Sequence, residues 1–143
     1  MILLYVLKLT YALDTNVLIS MAIPSHPVRD KLDAAIADGS LLVIPRVVHY
    51  EMLRGFLCYS APAKEKSYSS FCSIFPIGKI TEQVWQCATH IYAELHKKHF
   101  TVKDADILIA AFCLVNGYTL VTDNTKDFEN INDLQMVNWA EPI

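Results

Sequence analysis

Leu9-Thr10-Tyr11-Ala12-Leu13-Asp14-Thr15-Asn16-Val17-Leu18-Ile19-Ser20-Met21 decides how the rest of the chain is read. Leu9 to Leu13 is a short apolar run that stops at Asp14, as a strand buried on both faces does, and Asn16 to Met21 continues as a short helix. The same alternation recurs downstream. Val28 to Asp38 places Val28, Leu32, Ala35 and Ile36 at helical spacing, Gly39 closes it, and Leu41 to Ile44 is a second buried strand. Pro45 sits where a helix can start, and Val47 to Leu57 keeps helical periodicity. Pro62 to Phe75 reads as a further helix and Phe75 to Ile77 as a short strand before Gly78. Thr81 caps a long amphipathic helix reaching about Lys98, with Val84, Cys87, Ala88, Ile91, Tyr92 and Leu95 on one face. Asp104 to Asn116 is apolar all round once past its acidic start, which implies burial, and Gly117 ends it. Thr119 to Val121 is a third buried strand, ending in Thr122 and Asp123, and Gln135 to Asn138 is another. Short apolar strands alternating with helices predict an α/β fold: a central parallel sheet of four or five strands covered on both faces, in three layers.

Composition narrows the function. At 143 residues and 53% apolar content the chain suits one domain over 1–143. Residues 1–8 add little to the first strand and read as a disordered lead or as extra N-terminal residues. The opening stretch is too short for a bilayer and lacks a basic front end, so no membrane role is expected. A formal charge of −3 excludes the broad basic footprint of proteins that bind nucleic acid by phosphate neutralisation alone. Any nucleic-acid contact must be local or mediated by metal. Cys58, Cys72, Cys87 and Cys113 form no C-x-x-C pair and read as buried, reduced thiols of a cytoplasmic protein. Trp85 and Trp139 read as packing residues, and His96 and His99, beside Lys97 and Lys98, as a solvated helix end.

Carboxylates carry the chemistry. Parallel strands end at one rim, where such sheets bind ligands. Two strands finish in acids there, Asp14 and Asp123. Glu51 lies in the helix that follows another strand, among Tyr50, Met52 and Leu53, and Asp106 opens the buried helix, whose N-terminus favours negative charge. Brought together, four acids would repel one another and resist desolvation. A divalent cation answers both problems, and oxygen ligands select Mg²⁺ or Mn²⁺ over zinc. Such an ion polarises a phosphoryl oxygen and acidifies a bound water, which suits phosphodiester hydrolysis. Singly, each acid has a plainer reading. Asp14 and Asp106 could be helix caps, Glu51 the partner of Arg54, and Asp123 with Asn124 a turn. Arg46, Arg54, Lys103 and Lys126 could meet flanking phosphates or be ordinary surface charge.

Four stretches resemble the PIN-domain nucleases, and among them the VapC-type toxins of toxin-antitoxin pairs. They are Leu13-Asp14-Thr15-Asn16-Val17-Leu18, Glu51-Met52-Leu53-Arg54-Gly55, Asp106-Ile107-Leu108-Ile109-Ala110-Ala111, and Leu120-Val121-Thr122-Asp123-Asn124-Thr125-Lys126-Asp127-Phe128, in family order. The resemblance implies a PIN-like fold and a metal-dependent endoribonuclease acting on RNA. It also implies a homodimer held inactive by a cognate antitoxin. By position Asp14, Glu51 and Asp106 match the family's principal acids, Thr15 and Asn16 the polar residues after the first acid, and Thr122 the threonine of the last motif. Many relatives carry aspartate two places after that threonine. Here the position is Asn124, with Asp123 before it and Asp127 after it, and any of the three could fill the fourth place. Two other readings compete: a PIN-fold binding module with weak or lost catalysis, and a response-regulator receiver, which the Asp14-Thr15-Asn16 run fits badly.

Overall fold

β1 (Thr10–Leu13) is the middle of a five-stranded sheet in the computed structural model, which describes residues 8–141. Its Ala12 and Leu13 are fully buried, so this strand can be covered on both faces. From it the chain runs through helices α1 (Thr15–Met21) and α2 (Pro27–Ala37) to β2 (Leu41–Pro45). It continues through α3 (Arg46–Tyr59) and α4 (Pro62–Cys72) to β3 (Ile77–Gly78). α5 (Glu82–Lys97) and α6 (Asp104–Asn116) then return it to β4 (Thr119–Val121), and α7 (Thr125–Phe128) leads to β5 (Met136–Val137).

Every pairing is parallel and the strand order is β3-β2-β1-β4-β5. Five parallel strands between helices make the expected three-layer α/β/α architecture. The chain steps outward from β1 in one direction, then crosses back to continue in the other. The order therefore reverses between β1 and β4, and parallel sheets take ligands at such a point, beyond the carboxyl ends of the strands. Register sets which residues stand there: Leu13 pairs with Val121, so Asp14 and Thr122 follow side by side.

Helix boundaries follow local chemistry. Thr81 caps α5 by accepting from Val84 N at 3.3 Å, and His26 caps α2 through Nδ1 with Pro27 in the first position. Gly117, at φ +69°, supplies the left-handed residue that ends α6. α6 is the core helix, with Ile107, Ile109, Ala110, Ala111, Phe112 and Cys113 buried as its composition predicts.

Several expectations are corrected. α4 stops at Cys72, where Ser73 to Phe75 turn back on the helix, and β3 accordingly begins at Ile77. α7 has no counterpart in the sequence reading; four residues are too few for periodicity, and the buried Phe128 pins them. All four cysteines are free, but only Cys113 is buried. Cys58 is exposed beside Leu57 and Tyr59, which are exposed too, and Cys72 and Cys87 are half-buried. Trp139 packs against Tyr11, ring centroids 5.0 Å apart, whereas Trp85 and Tyr92 stand on the flank of α5 and are exposed. Residues 1–8 fall, apart from Lys8, outside the described residues.

Gly78 tests the packing between β3 and α6. A Cβ placed there would meet Phe112 Cζ at 2.2 Å, inside any tolerable contact. Phe112 is buried against Tyr118 and has little room to give. Gly78→Ala is expected to destabilise the protein by about 1–3 kcal/mol, read as a lower urea midpoint at unchanged slope, and Gly78→Ala with Phe112→Leu should recover part of it.

Candidate active site

The end of β1 is stitched to the end of β4. Asp14 N donates to Val121 O at 3.0 Å, and the buried Thr122 hydroxyl donates to Asp14 Oδ2 at 2.8 Å. Asp14 is itself the cap of α1, accepting from Thr15 N through Oδ1 at 2.7 Å. Asn16 braces the same corner. Its amide donates to Asp14 Oδ2 at 3.4 Å and to Thr122 Oγ1 at 3.5 Å, and its carbonyl accepts from Asp123 N at 3.2 Å. Thr122 Oγ1 also accepts from Asn124 N at 3.1 Å.

Glu51 joins from α3. Thr15 Oγ1 donates to its Oε1 at 2.9 Å, and Arg54 Nη2 lies 3.4 Å from its Oε2. Arg54 also sits over the Tyr50 ring, 5.0 Å from the centroid. Asp106 stands in the first turn of α6 and Asp123 directly after Thr122.

The acids feel one another. Burial pushes the Asp14 carboxyl above its ordinary range, against the Thr122 and Thr15 hydrogen bonds that lower it, and the charges of Glu51 and Asp123 push it further. Asp106 is pushed up to about 6, first by burial and then by the charges of Asp14, Asp127 and Glu51, with Lys103 opposing. Cys113, beneath them in α6, is driven up to about 12, by burial and then by the Asp14 charge.

The acids singled out in the sequence are therefore linked through two of them: Asp14 feels Glu51 and Asp123, and Asp106 feels Asp14, Asp127 and Glu51. Thr15, Asn16 and Thr122 serve as the polar braces between them. Asn124 differs: it is exposed and contributes its backbone N–H to the corner. The acids flanking it are the charged groups, Asp123 towards Asp14 and Asp127 towards Asp106. Asp123 Oδ1 is buried without a hydrogen-bond partner. Among the described residues no three His, Cys, Asp or Glu side chains stand close enough to share one ion. The donor set still fits a hard divalent cation: it is all oxygen, its charges are only partly compensated by Arg54 and Lys103, and one buried oxygen is unsatisfied. Sequence reading missed the contribution of Lys103 to Asp106 and the role of α7 in turning Asp127 towards it; the basic residue beside the acidic start of α6 was the signal for the first. A cavity of about 230 Å³ between α5 and the segment before β5, lined by Cys87, His90, Glu94 and Asp133, shares no residue with this cluster.

Known proteins agree with this fold. The model of the PIN domain matches residues 11–134. Ribonuclease VapC2 of Rickettsia felis is 28% identical over 134 residues, 90% of this chain and 97% of its own length. The crystal structure of VapBC2 from the same organism, bound to a DNA fragment from its promoter, superposes with a TM-score of 0.80 at 25% identity, covering 92% of this chain and 99% of the matched one. DNA-bound VapBC from Salmonella typhimurium gives 0.82 at 22% identity, with coverage of 92% and 99%, a likeness of fold. A parallel sheet whose order reverses at an acid-bearing rim, under a family model that runs from β1 almost to β5, leaves one placement: the chain belongs to the PIN domain family.

Proposed function

We propose that the chain is a Mg²⁺- or Mn²⁺-dependent endoribonuclease, the toxin of a type II toxin-antitoxin pair. The observation that carries this reading is the crowding of Asp14, Glu51, Asp106 and Asp123 at one rim, where the charges of Glu51 and Asp123 raise the proton affinity of Asp14, and those of Asp14, Asp127 and Glu51 raise that of Asp106. Structural acids are paired with cations; these are paired mainly with hydroxyls and with Arg54. Ribonuclease VapC2, similar over almost its whole length, supports RNA as the substrate. The VapBC complexes support an antitoxin as partner, and the family resemblance extends this to a homodimer working in the cytoplasm.

In this reading Asp14, Glu51 and Asp106 would hold the cation, drawn closer than they stand in the metal-free chain, and Asp123, or else Asp127 from α7, would join them. Bound there, the ion would neutralise the carboxylates, polarise a phosphoryl oxygen and acidify water. The chain's own work is positioning. Thr122 and Asn16 fix the direction of Asp14, Thr15 fixes Glu51, and the N-terminal end of α6 steadies Asp106. Asp123 Oδ1, buried beside Asp14 without a hydrogen-bond partner, is the oxygen of the corner that a cation would satisfy.

Asp14→Asn, Asp106→Asn and Glu51→Gln should each abolish cleavage of single-stranded RNA that wild type performs with Mg²⁺ or Mn²⁺ and loses in EDTA. Metal-free Asp106→Asn should be more stable than wild type by about 1 kcal/mol, after discounting for its half exposure, because repulsion is relieved. A marked loss of metal-free stability would mark the acid as structural. Sequencing of product ends should find 5′ phosphates and 3′ hydroxyls, since attack by water leaves the ribose 2′ hydroxyl unused; cyclic phosphates would exclude the mechanism.

The raised acid fixes the sign of the pH dependence. Folded Asp106 keeps its proton up to about 6, while the unfolded carboxyl loses it near 3.8, so the folded state binds more protons between those values. Its contribution is full below the lower value and is lost as pH rises through the upper one. The urea midpoint in EDTA should therefore fall from about pH 4 to about pH 7 by more in wild type than in Asp106→Asn, and Mn²⁺ affinity should weaken below about pH 6, where protons compete.

A further inference from the structure

On α5, Trp85, Thr89, Tyr92 and His96 recur at helical spacing along one flank, beside the buried stripe of Val84, Ala88, Ile91 and Leu95. Trp85 is 49% and Tyr92 56% exposed. The Tyr92 and His96 rings lie within 13° of parallel, centroids 6.2 Å apart. The helix then ends in a tight reversal: His99 N donates to His96 O at 3.1 Å and Phe100 N to Leu95 O at 2.9 Å, with His99 at φ +62° where glycine is usual. That reversal fixes Phe100, 44% exposed, over a cleft of about 80 Å³ that Tyr92, His96, Val102 and Ile107 also line. Ile107 is the residue after Asp106, so the cleft and the acid rim share the first turn of α6.

Charge on this face opposes that of the rim. His96-Lys97-Lys98-His99-Phe100-Thr101-Val102-Lys103 holds three of the chain's 12 Lys and Arg and no acid, and its lysines and histidines are exposed. Exposed aromatic faces interleaved with lysines are the elements that bind single-stranded nucleic acid, each ring stacking on a base and each lysine meeting a phosphate. The cleft is far below the roughly 300 Å³ of a ligand pocket, so it admits a ring edge while stacking takes place on the exposed faces.

We propose that this face seats the single-stranded RNA flanking the scissile bond, with bases on Trp85, Tyr92 and Phe100 and phosphates on Lys97, Lys98 and Lys103. The inference rests on the ribonuclease reading and names the substrate contact of the same site.

The test is fluorescence anisotropy with a fluorescein-labelled oligouridylate of about twelve nucleotides and the full chain in EDTA, where no cleavage intervenes. Tyr92→Ala and Phe100→Ala should each weaken binding roughly tenfold, while Tyr92→Phe and Phe100→Tyr keep it. Lys97→Gln with Lys98→Gln should flatten the slope of log affinity against log salt by about 1.4. Titrating RNA should quench Trp85 fluorescence, a signal lost in Trp85→Leu. Unchanged affinity across these variants would overturn the proposal. So would aromatic variants that turn a dimer into a monomer in light scattering at constant RNA affinity, which would assign the face to a second copy. Aromatic-dependent binding by a wild type that never cleaves RNA would uphold the subsite and sink the nuclease reading alone. Cleavage by a wild type whose binding ignores these rings would do the reverse.

Discussion

Like charge gathered where water is partly excluded is the constraint to which the rest of this molecule answers. Asp14 is almost wholly buried, yet its strongest pressure towards neutrality is only partly offset by hydrogen bonds from Thr122 and Thr15. The sheet holds it there regardless, because β1 is central and in register with β4, so the backbone bond from Asp14 to Val121 cannot be given up without breaking the pairing. Glu51 and Asp106 are carried to the same rim by helices whose buried faces are equally committed, Val48 and Met52 in α3 and Ile107, Ile109 and Ala110 in α6. Packing energy of the core thus opposes electrostatic repulsion at the rim, with about 1.5–3 kcal/mol from each large apolar side chain buried. That balance is the physical meaning of a carboxyl held protonated up to about 6.

Much of this is legible in the order of residues alone. Two apolar runs ending in Asp14 and in Thr122-Asp123 must share a rim if their strands are parallel, and an apolar helix opening on Asp106 must bury Ile107 and the turns beyond it. The hydroxyl of Thr122 on Asp14, 108 residues away, is not legible, since it depends on which strands are neighbours. The flank of α5 misleads for a related reason. Periodicity assigns Tyr92 to an apolar face about as readily as Ile91, and only the position of α6 against α5 decides which residue is covered. Cys58 belongs with it: apolar neighbours in sequence predict burial, but Leu57 and Tyr59 are themselves exposed.

Asn124 illustrates how a motif can change a letter around a kept geometry. Its backbone N–H still caps the Thr122 hydroxyl, which leaves the brace on Asp14 intact whatever side chain stands there. Negative charge flanks the position on both sides, Asp123 with an unsatisfied buried oxygen towards Asp14 and Asp127 on α7 towards Asp106. An exposed neutral amide between two acids lowers the local repulsion without emptying the rim of carboxylates.

A net charge of −3 argues against a nucleic-acid protein only while charge is treated as spread evenly. Here five acids gather at the rim, and Lys97 and Lys98 at the end of α5, with Lys103, precede Asp106 by nine residues or fewer. At physiological salt the screening length is about 8 Å, so an approaching polyanion meets each patch largely on its own terms. The acid rim alone would turn it away. With a divalent ion in place the rim's charge falls, and the basic aromatic face supplies attraction that does not depend on that ion. Cation first and polyanion second is the order that this distribution favours, and the mean charge of the chain conceals it.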